Sequence, residues 1–332
     1  MDYREPDIER LYAAYSIKKH DRVPHFDMLD PKVTGEILGK ECVHSHRLSP
    51  TDAIRLAEYT CQDTICRQFH YAPRPVIDGV AKLIHGREDL EHIVPPDLNY
   101  YFNTAKEACD AVSGTGIGVE LMISLPFFST YMAMGPIPIQ SFMLVLYDDV
   151  DLIKDIFKMQ TDHVISILES VRGLPITTLE LADDLCDHKG YLVNPKVIEE
   201  LWKPYAQRVV DVAKSFNVPI QWHCCGKLDQ LLPQLVEWGI NAIAPVQASC
   251  NDIYRLKKEY GDHICLVGNL SIEGVLFQGS QKEIVDDVRE HIDGLSQNGG
   301  YVVSSSHSIV DAIPRDNYMA MVETAVDYGR YK

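Results

Sequence analysis

Val218-Pro219-Ile220-Gln221-Trp222-His223-Cys224-Cys225-Gly226 is a short apolar run that ends in an imidazole and two thiols. The run from Val218 to Trp222 reads as a strand, and the segment after Lys227 reads as a helix, closed by Gly239. An imidazole and thiols at the end of a strand make a candidate metal site.

The same cycle repeats on both sides. Upstream, a helix over Asp151–Arg172 leads to an apolar run, Pro175–Ala182, that ends in Asp183-Asp184. Asn194 then caps a helix with Pro195 in its first turn, apolar residues recur at Val197, Ile198, Leu201, Tyr205 and Val209, and Pro204 should kink it. Downstream, strands are expected over Asn241–Pro245, Ile264–Val267 and Tyr301–Ser304. Helices are expected over Asn251–Tyr260 and Gln281–Leu295, with a last one from Pro314. About five strands alternating with helices over some 170 residues predict a parallel sheet covered by helices. With 332 residues, the expected fold is α/β, a single (β/α)8 TIM-type barrel domain over 1–332 with an N-terminal helical extension over 1–75. A doubly wound open sheet is the rival, but it usually carries a glycine-rich phosphate loop. The nearest candidate, Gly114-Thr115-Gly116-Ile117-Gly118, precedes a strand instead of opening a helix.

The first half is plainer. Ile8–Ile17 has helical spacing, and His20–Asp27 forms a strand-like step toward Asp27 and Asp30. Ser49-Pro50 opens a helix expected to run to about Phe69. A further helix is expected over Phe102–Val112 and a strand over Val119–Ile123. The aromatic and Met-rich segment Pro126–Pro138 could be core or the apolar wall of a pocket.

Composition limits the function. The net charge is −17, from 31 Lys+Arg against 48 Asp+Glu, and no basic cluster breaks it, which disfavours nucleic acid. Met1-Asp2-Tyr3-Arg4-Glu5-Pro6 lacks the apolar core of a signal peptide, and no apolar run reaches membrane-span length. A cytoplasmic protein is expected. Its nine cysteines, irregularly spaced, read as reduced thiols.

Asp183 and Asp184, His223 with Cys225, Gln247, Asn269 and His307 each follow the C-terminal end of an expected strand. In a barrel that rim is the active-site face.

With these residues placed, the sequence resembles the uroporphyrinogen decarboxylase superfamily, and within it the corrinoid-dependent methyltransferases. The resemblance rests on Asp21-Arg22-Val23-Pro24, Asp183-Asp184, Asn194-Pro195 with Pro204-Tyr205, His223-Cys224-Cys225-Gly226 and Pro245-Val246-Gln247. Gly299-Gly300-Tyr301-Val302, Ser306-His307-Ser308-Ile309 and Pro314–Asn317 complete it. It implies a barrel enzyme acting on a tetrapyrrole or a methyl group. The arginine-rich signature with which the decarboxylases grip substrate carboxylates is missing between residues 18 and 50.

The resemblance further implies zinc held by His223 and Cys225, with a third ligand from another loop. The methyltransferases that act on thiols have a cysteine where this chain has His307, and Glu180 or the aspartate pair could complete or replace the set. Asp183, Asp184 and His307 are the expected catalytic residues, Gln247 and Asn269 the expected substrate-binding ones, and Cys224 a structural thiol. The implied function is transfer of a methyl group between a small methylated ether, amine or thiol and the cobalt of a corrinoid. No cobalamin-binding domain is left over, so the corrinoid is expected on a partner protein. The alternatives are a metal-free decarboxylase and a non-catalytic binding protein on the same scaffold.

Overall fold

Seven strands, β1 Thr64–Phe69, β2 Gly118–Ser124, β3 Thr178–Ala182, β4 Ile220–His223, β5 Ala242–Val246, β6 Cys265–Gly268 and β7 Tyr301–Val302, lie side by side in chain order. Every pairing is parallel. The computed structural model describes residues 4–135 and 137–331; the Met1–Tyr3 part of the expected signal-free start, and Pro136 of the aromatic segment, lie outside them.

β2, β3, β5 and β6 are buried along their whole length. Strands buried on both faces read as largely apolar runs, which makes these recognisable despite Glu120 in β2 and Glu180 in β3. The sheet curls as in a TIM-type fold, and residues 23–27 occupy the eighth place. His25 bridges Val303 in parallel, the Phe26 N–H donates to the Val303 carbonyl (3.2 Å) and the Val303 N–H to that of Pro24 (3.0 Å). On the other flank the Asp27 N–H donates to Gln62 Oε1 (3.2 Å), just before β1. Helix Ile8–Tyr15 closes the N-terminal end of the sheet. Its Leu11, Ala14 and Tyr15 pack on Ala242, Ala244, Cys265, Val267 and Val302, and Tyr15 Oη donates to Gln221 Oε1 (2.6 Å). No described helix is long and apolar enough to cross a membrane.

Three expectations change. The helix opened by Ser49 ends at Thr60, not near Phe69, because Cys61 turns left-handed (φ 55°); Thr64–Phe69 is instead β1. The extension expected over 1–75 is therefore helical only in part, since it also carries β1 and the segment in the eighth place. The strand expected over Tyr301–Ser304 is reduced to Tyr301–Val302, and Ser305 pairs singly with Leu270 beyond it. Pro204 disturbs its helix as expected: lacking an N–H, it is preceded by a π turn over Ile198–Trp202.

Candidate metal centre and its cavity

Neighbouring strands are in register, with Met122 opposite Glu180, Glu180 opposite Gln221 and Ala182 opposite His223. Side chains alternate between faces of a strand. Leu179, Leu181 and Trp222 therefore face the helices, where Trp222 meets Trp202 and Trp238. Glu120, Glu180, Gln221 and His223 face inward.

At the C-terminal rim His223 is held at both nitrogens. Nδ1 lies 3.1 Å from Glu180 Oε1, which leaves Nε2 facing Cys225 Sγ at 3.9 Å and Asp184 Oδ1 at 4.0 Å. Asp184 is fixed by the Cys225 N–H (2.9 Å), and Gln247 Oε1 by the Gly226 N–H (2.9 Å). Gly226 has φ +92°, and a Cβ there would come within 2.8 Å of the Cys186 and Asp187 backbone, so this turn requires glycine. Cys224 is buried and its Sγ accepts from the Leu185 N–H (3.4 Å).

Asp184, His223 and Cys225 thus offer one oxygen, one nitrogen and one sulfur, all within 4.8 Å of one another. Metal–ligand bonds of about 2.0–2.3 Å in a tetrahedron give ligand separations of roughly 3.3–3.8 Å. The three residues could therefore hold zinc with small adjustments. Glu180 sits on the far nitrogen of His223, where a carboxylate fixes the tautomer and orientation of a metal-binding histidine.

The electrostatics agree. Burial raises the Cys225 thiol, but hydrogen bonds from His223 and His307 outweigh it, and the thiol lies below its ordinary value. Burial opposes protonation of His223, yet Cys225 and Glu180 hold its imidazole well above the usual range. His307 is likewise raised, first by its hydrogen bond to Cys225. Glu180→Gln is expected to weaken zinc binding roughly 10–100-fold, as measured by competition with a chromophoric chelator.

The other expected site residues divide. His307 lines a cavity of about 40 Å³ together with Asp27, Glu180, Gln221 and His223. Asp183 is fully buried and turned away from that cavity. Its Oδ1 accepts from the Phe128 N–H (2.6 Å) and its Oδ2 from Trp202 Nε1 (2.7 Å) and the Phe127 N–H (3.4 Å). Asn269 points toward helix Gln281–Leu295, its Oδ1 3.0 Å from His291 Nε2. Gln247 braces the Gly226 turn. Phe127 of the aromatic segment packs on Phe142 and Phe157 in the core.

Two acids escaped the sequence reading. Glu120, inside β2, gathers with Glu180 and Cys66 into a buried group; burial, then the Glu180 charge, holds its carboxyl well above the usual range. A lone acid within a strand-forming apolar run was the available signal. Asp27 was legible only as the end of a strand-like step.

A uroporphyrinogen decarboxylase (URO-D) family model matches residues 70–328. A methylcobamide:CoM methyltransferase, MtaA, of Methanosarcina barkeri is 23% identical over 197 residues, 59% of this chain and 55% of that protein. MtaA of M. barkeri strain Fusaro is 22% identical over the same shares. The chain spans about half the length of these curated relatives. A solved methyltransferase from Methanosarcina mazei superposes with a TM-score of 0.71 at 17% identity, covering 96% of this chain and 98% of that one; at this identity the likeness concerns the fold.

Proposed function

The chain belongs to the uroporphyrinogen decarboxylase family, matched over residues 70–328, and from that premise we propose that it is a corrinoid-dependent methyltransferase. It would move a methyl group from a small methylated compound to the cobalt of a separate corrinoid protein. The observation that carries this reading is the oxygen, nitrogen and sulfur set of Asp184, His223 and Cys225 at the barrel rim, with Glu180 behind the histidine. In this assignment Asp184 takes the ligand place expected of Glu180, and His307 stands beside the Cys225 sulfur. A zinc ion so held would act as a Lewis acid that makes the demethylated group a better leaving group.

The cavity favours methyl transfer over decarboxylation. Its described lining includes Asp27 and Glu180 and neither Lys nor Arg. A tetrapyrrole bearing many carboxylates would find no guanidinium or ammonium group there to pair with. A small, uncharged methyl donor needs no such partner. At about 40 Å³ the half-open cavity has room for a small group, since roughly 10–15 Å³ of such space holds one water.

Zinc binding should expel the proton on His223, whose imidazole is held well above its ordinary value. At least one proton released per zinc at neutral pH is expected, and affinity should weaken as pH falls, because protons then compete for the ligand atoms. Calorimetric zinc titrations in buffers of different ionisation enthalpy read this directly; proton-neutral binding would contradict it. The function itself is tested by mixing zinc-loaded protein, a reduced corrinoid protein and a panel of methyl ethers and amines. Methylated cobalt should form with at least one donor, while uroporphyrinogen should lose no carboxylate. Decarboxylation without metal would favour the opposite reading.

A further inference from the structure

We propose that Asp27 is the acid that protonates the leaving oxygen of the methyl donor, so that the site takes O-methyl compounds, the methyl ethers. The inference deepens the methyl-transfer reading and rests on it.

Asp27 ends the segment in the eighth place of the barrel and is 5% exposed. Its two oxygens differ. Oδ1 accepts from Ser304 Oγ (3.0 Å) and the Ser305 N–H (2.9 Å), and it lies 2.5 Å from Ser305 Oγ, whose single proton also faces the His307 carbonyl. Oδ2 is buried and has no partner. A buried polar atom without a partner destabilises the fold until a ligand supplies one. Asp27 shares its cavity with Glu180, His223 and His307, and with apolar Phe26, Met28, Ala244, Pro245 and Val267. In such surroundings burial outweighs the hydrogen bonds from Ser304 and Ser305 and pushes the carboxyl up to about 7. With Oδ1 engaged as acceptor, the proton belongs on Oδ2. A carboxylic acid kept neutral by an apolar site is a hydrogen-bond donor that lacks an acceptor.

The other acids near the rim are engaged elsewhere. Both Asp183 oxygens receive protein donors, and Asp184 Oδ1 receives the Cys225 N–H. Glu180 Oε2 also lacks a partner, but its Oε1 meets His223 Nδ1, so its carboxylate is tied to holding the imidazole. An ether oxygen brought into the cavity would supply the missing acceptor. A quaternary ammonium has no lone pair to offer, and a thioether sulfur is a weak acceptor. In the step, the C–O bond of the donor breaks and its electron pair stays on oxygen. The methyl group goes to the cobalt(I) of the partner, which supplies the pair for the new bond. The oxygen takes the Oδ2 proton, giving an alcohol or phenol, and Asp27 recovers a proton from water as the product leaves.

Asp27→Asn keeps the shape and an acceptor for the two serines. With zinc-loaded protein and reduced corrinoid protein, the variant should lose roughly 10²–10⁴-fold in rate with an unactivated aryl methyl ether. With the methyl ether of a nitrophenol, whose leaving group needs no proton, it should lose less than about tenfold. Without corrinoid, the infrared carbonyl band of a protonated carboxyl should shift when a phenol is added to the wild type, and that band should be missing in the variant. A variant equally active on the unactivated ether overturns the proposal, as does a wild type that has no such band. A variant dead on both donors leaves the infrared shift to decide: a shift supports the role, none overturns it. Wild-type transfer from amines alone overturns the ether assignment and leaves the methyl-transfer reading standing. No transfer from any donor overturns both.

Discussion

His223→Ala is expected to take bound zinc from near one per chain to near none, and methyl transfer down at least roughly 10³-fold, the scale of several kcal/mol of Lewis-acid stabilisation. The substitution removes the one nitrogen of the Asp184, His223 and Cys225 set and strips Glu180 of its partner. Glu180 is 1% exposed, so the uncovered carboxylate also raises the cost of the folded apo state. Cys225→Ser should show the same loss of metal, because a serine hydroxyl is not ionised at neutral pH. Cys224→Ala is the control. That thiol faces the Leu185 N–H and lies outside the ligand set, so zinc content should hold. Elemental analysis of the three purified variants reads the zinc content, and the methylcobalt spectrum reads the transfer.

The second large effect concerns stability. Asp183→Ala is expected to destabilise the fold by about 3–5 kcal/mol, measured by urea unfolding, because Trp202 Nε1 and the first N–H groups of helix Pro126–Ala133 lose their acceptor inside the core. The effect should vary with pH. Burial sets the Asp183 carboxyl at about 7 in the folded chain against an ordinary 3.8. The folded state therefore holds that proton more tightly than the unfolded state. Its contribution is fully present below about pH 4 and is lost as pH rises through 7. The gap between wild type and variant should accordingly be wider at pH 5 than at pH 8; a gap that widens with pH would contradict the assignment. Asp27 titrates in both chains and cancels from the difference.

The contrast between Asp183 and Asp184 shows where sequence reasoning stops. Both follow the same strand, and the sequence placed both at the rim as catalytic candidates. Successive side chains leave the chain in different directions, and which one meets His223 and Cys225 depends on Trp202 and Phe128, residues brought close only by folding. The pair His223 and Cys225 was legible because both ends of the contact lie within one turn. Glu180 was legible as a neighbour of that pair but not as a partner of Nδ1, which needs the register of β3 on β4. Asp27 was beyond reach as a site residue, since its donors Ser304 and Ser305 lie 277 and 278 residues away in sequence.

The fold divides in the same way. β2, β3, β5 and β6 announce themselves as buried apolar runs. β1 does not, because Cys66, Arg67 and Gln68 give it a polar middle that continues the preceding helix in appearance. What separates the two is the left-handed turn at Cys61, together with Asp63 just beyond it, which is held by Arg10. Both are tertiary facts, with a helix fifty residues upstream supplying the partner.

The rate at which a reduced corrinoid protein acquires the methylcobalt absorption spectrum, followed with a methyl ether and equal amounts of zinc-loaded and chelator-stripped protein, bears most directly on the metal-assisted methyl transfer assigned to this rim. Conversion that needs the protein, and that falls at least roughly 10²-fold on stripping and returns with zinc, is the expected result. Equal rates with and without metal, or no conversion by the zinc-loaded protein, would contradict it.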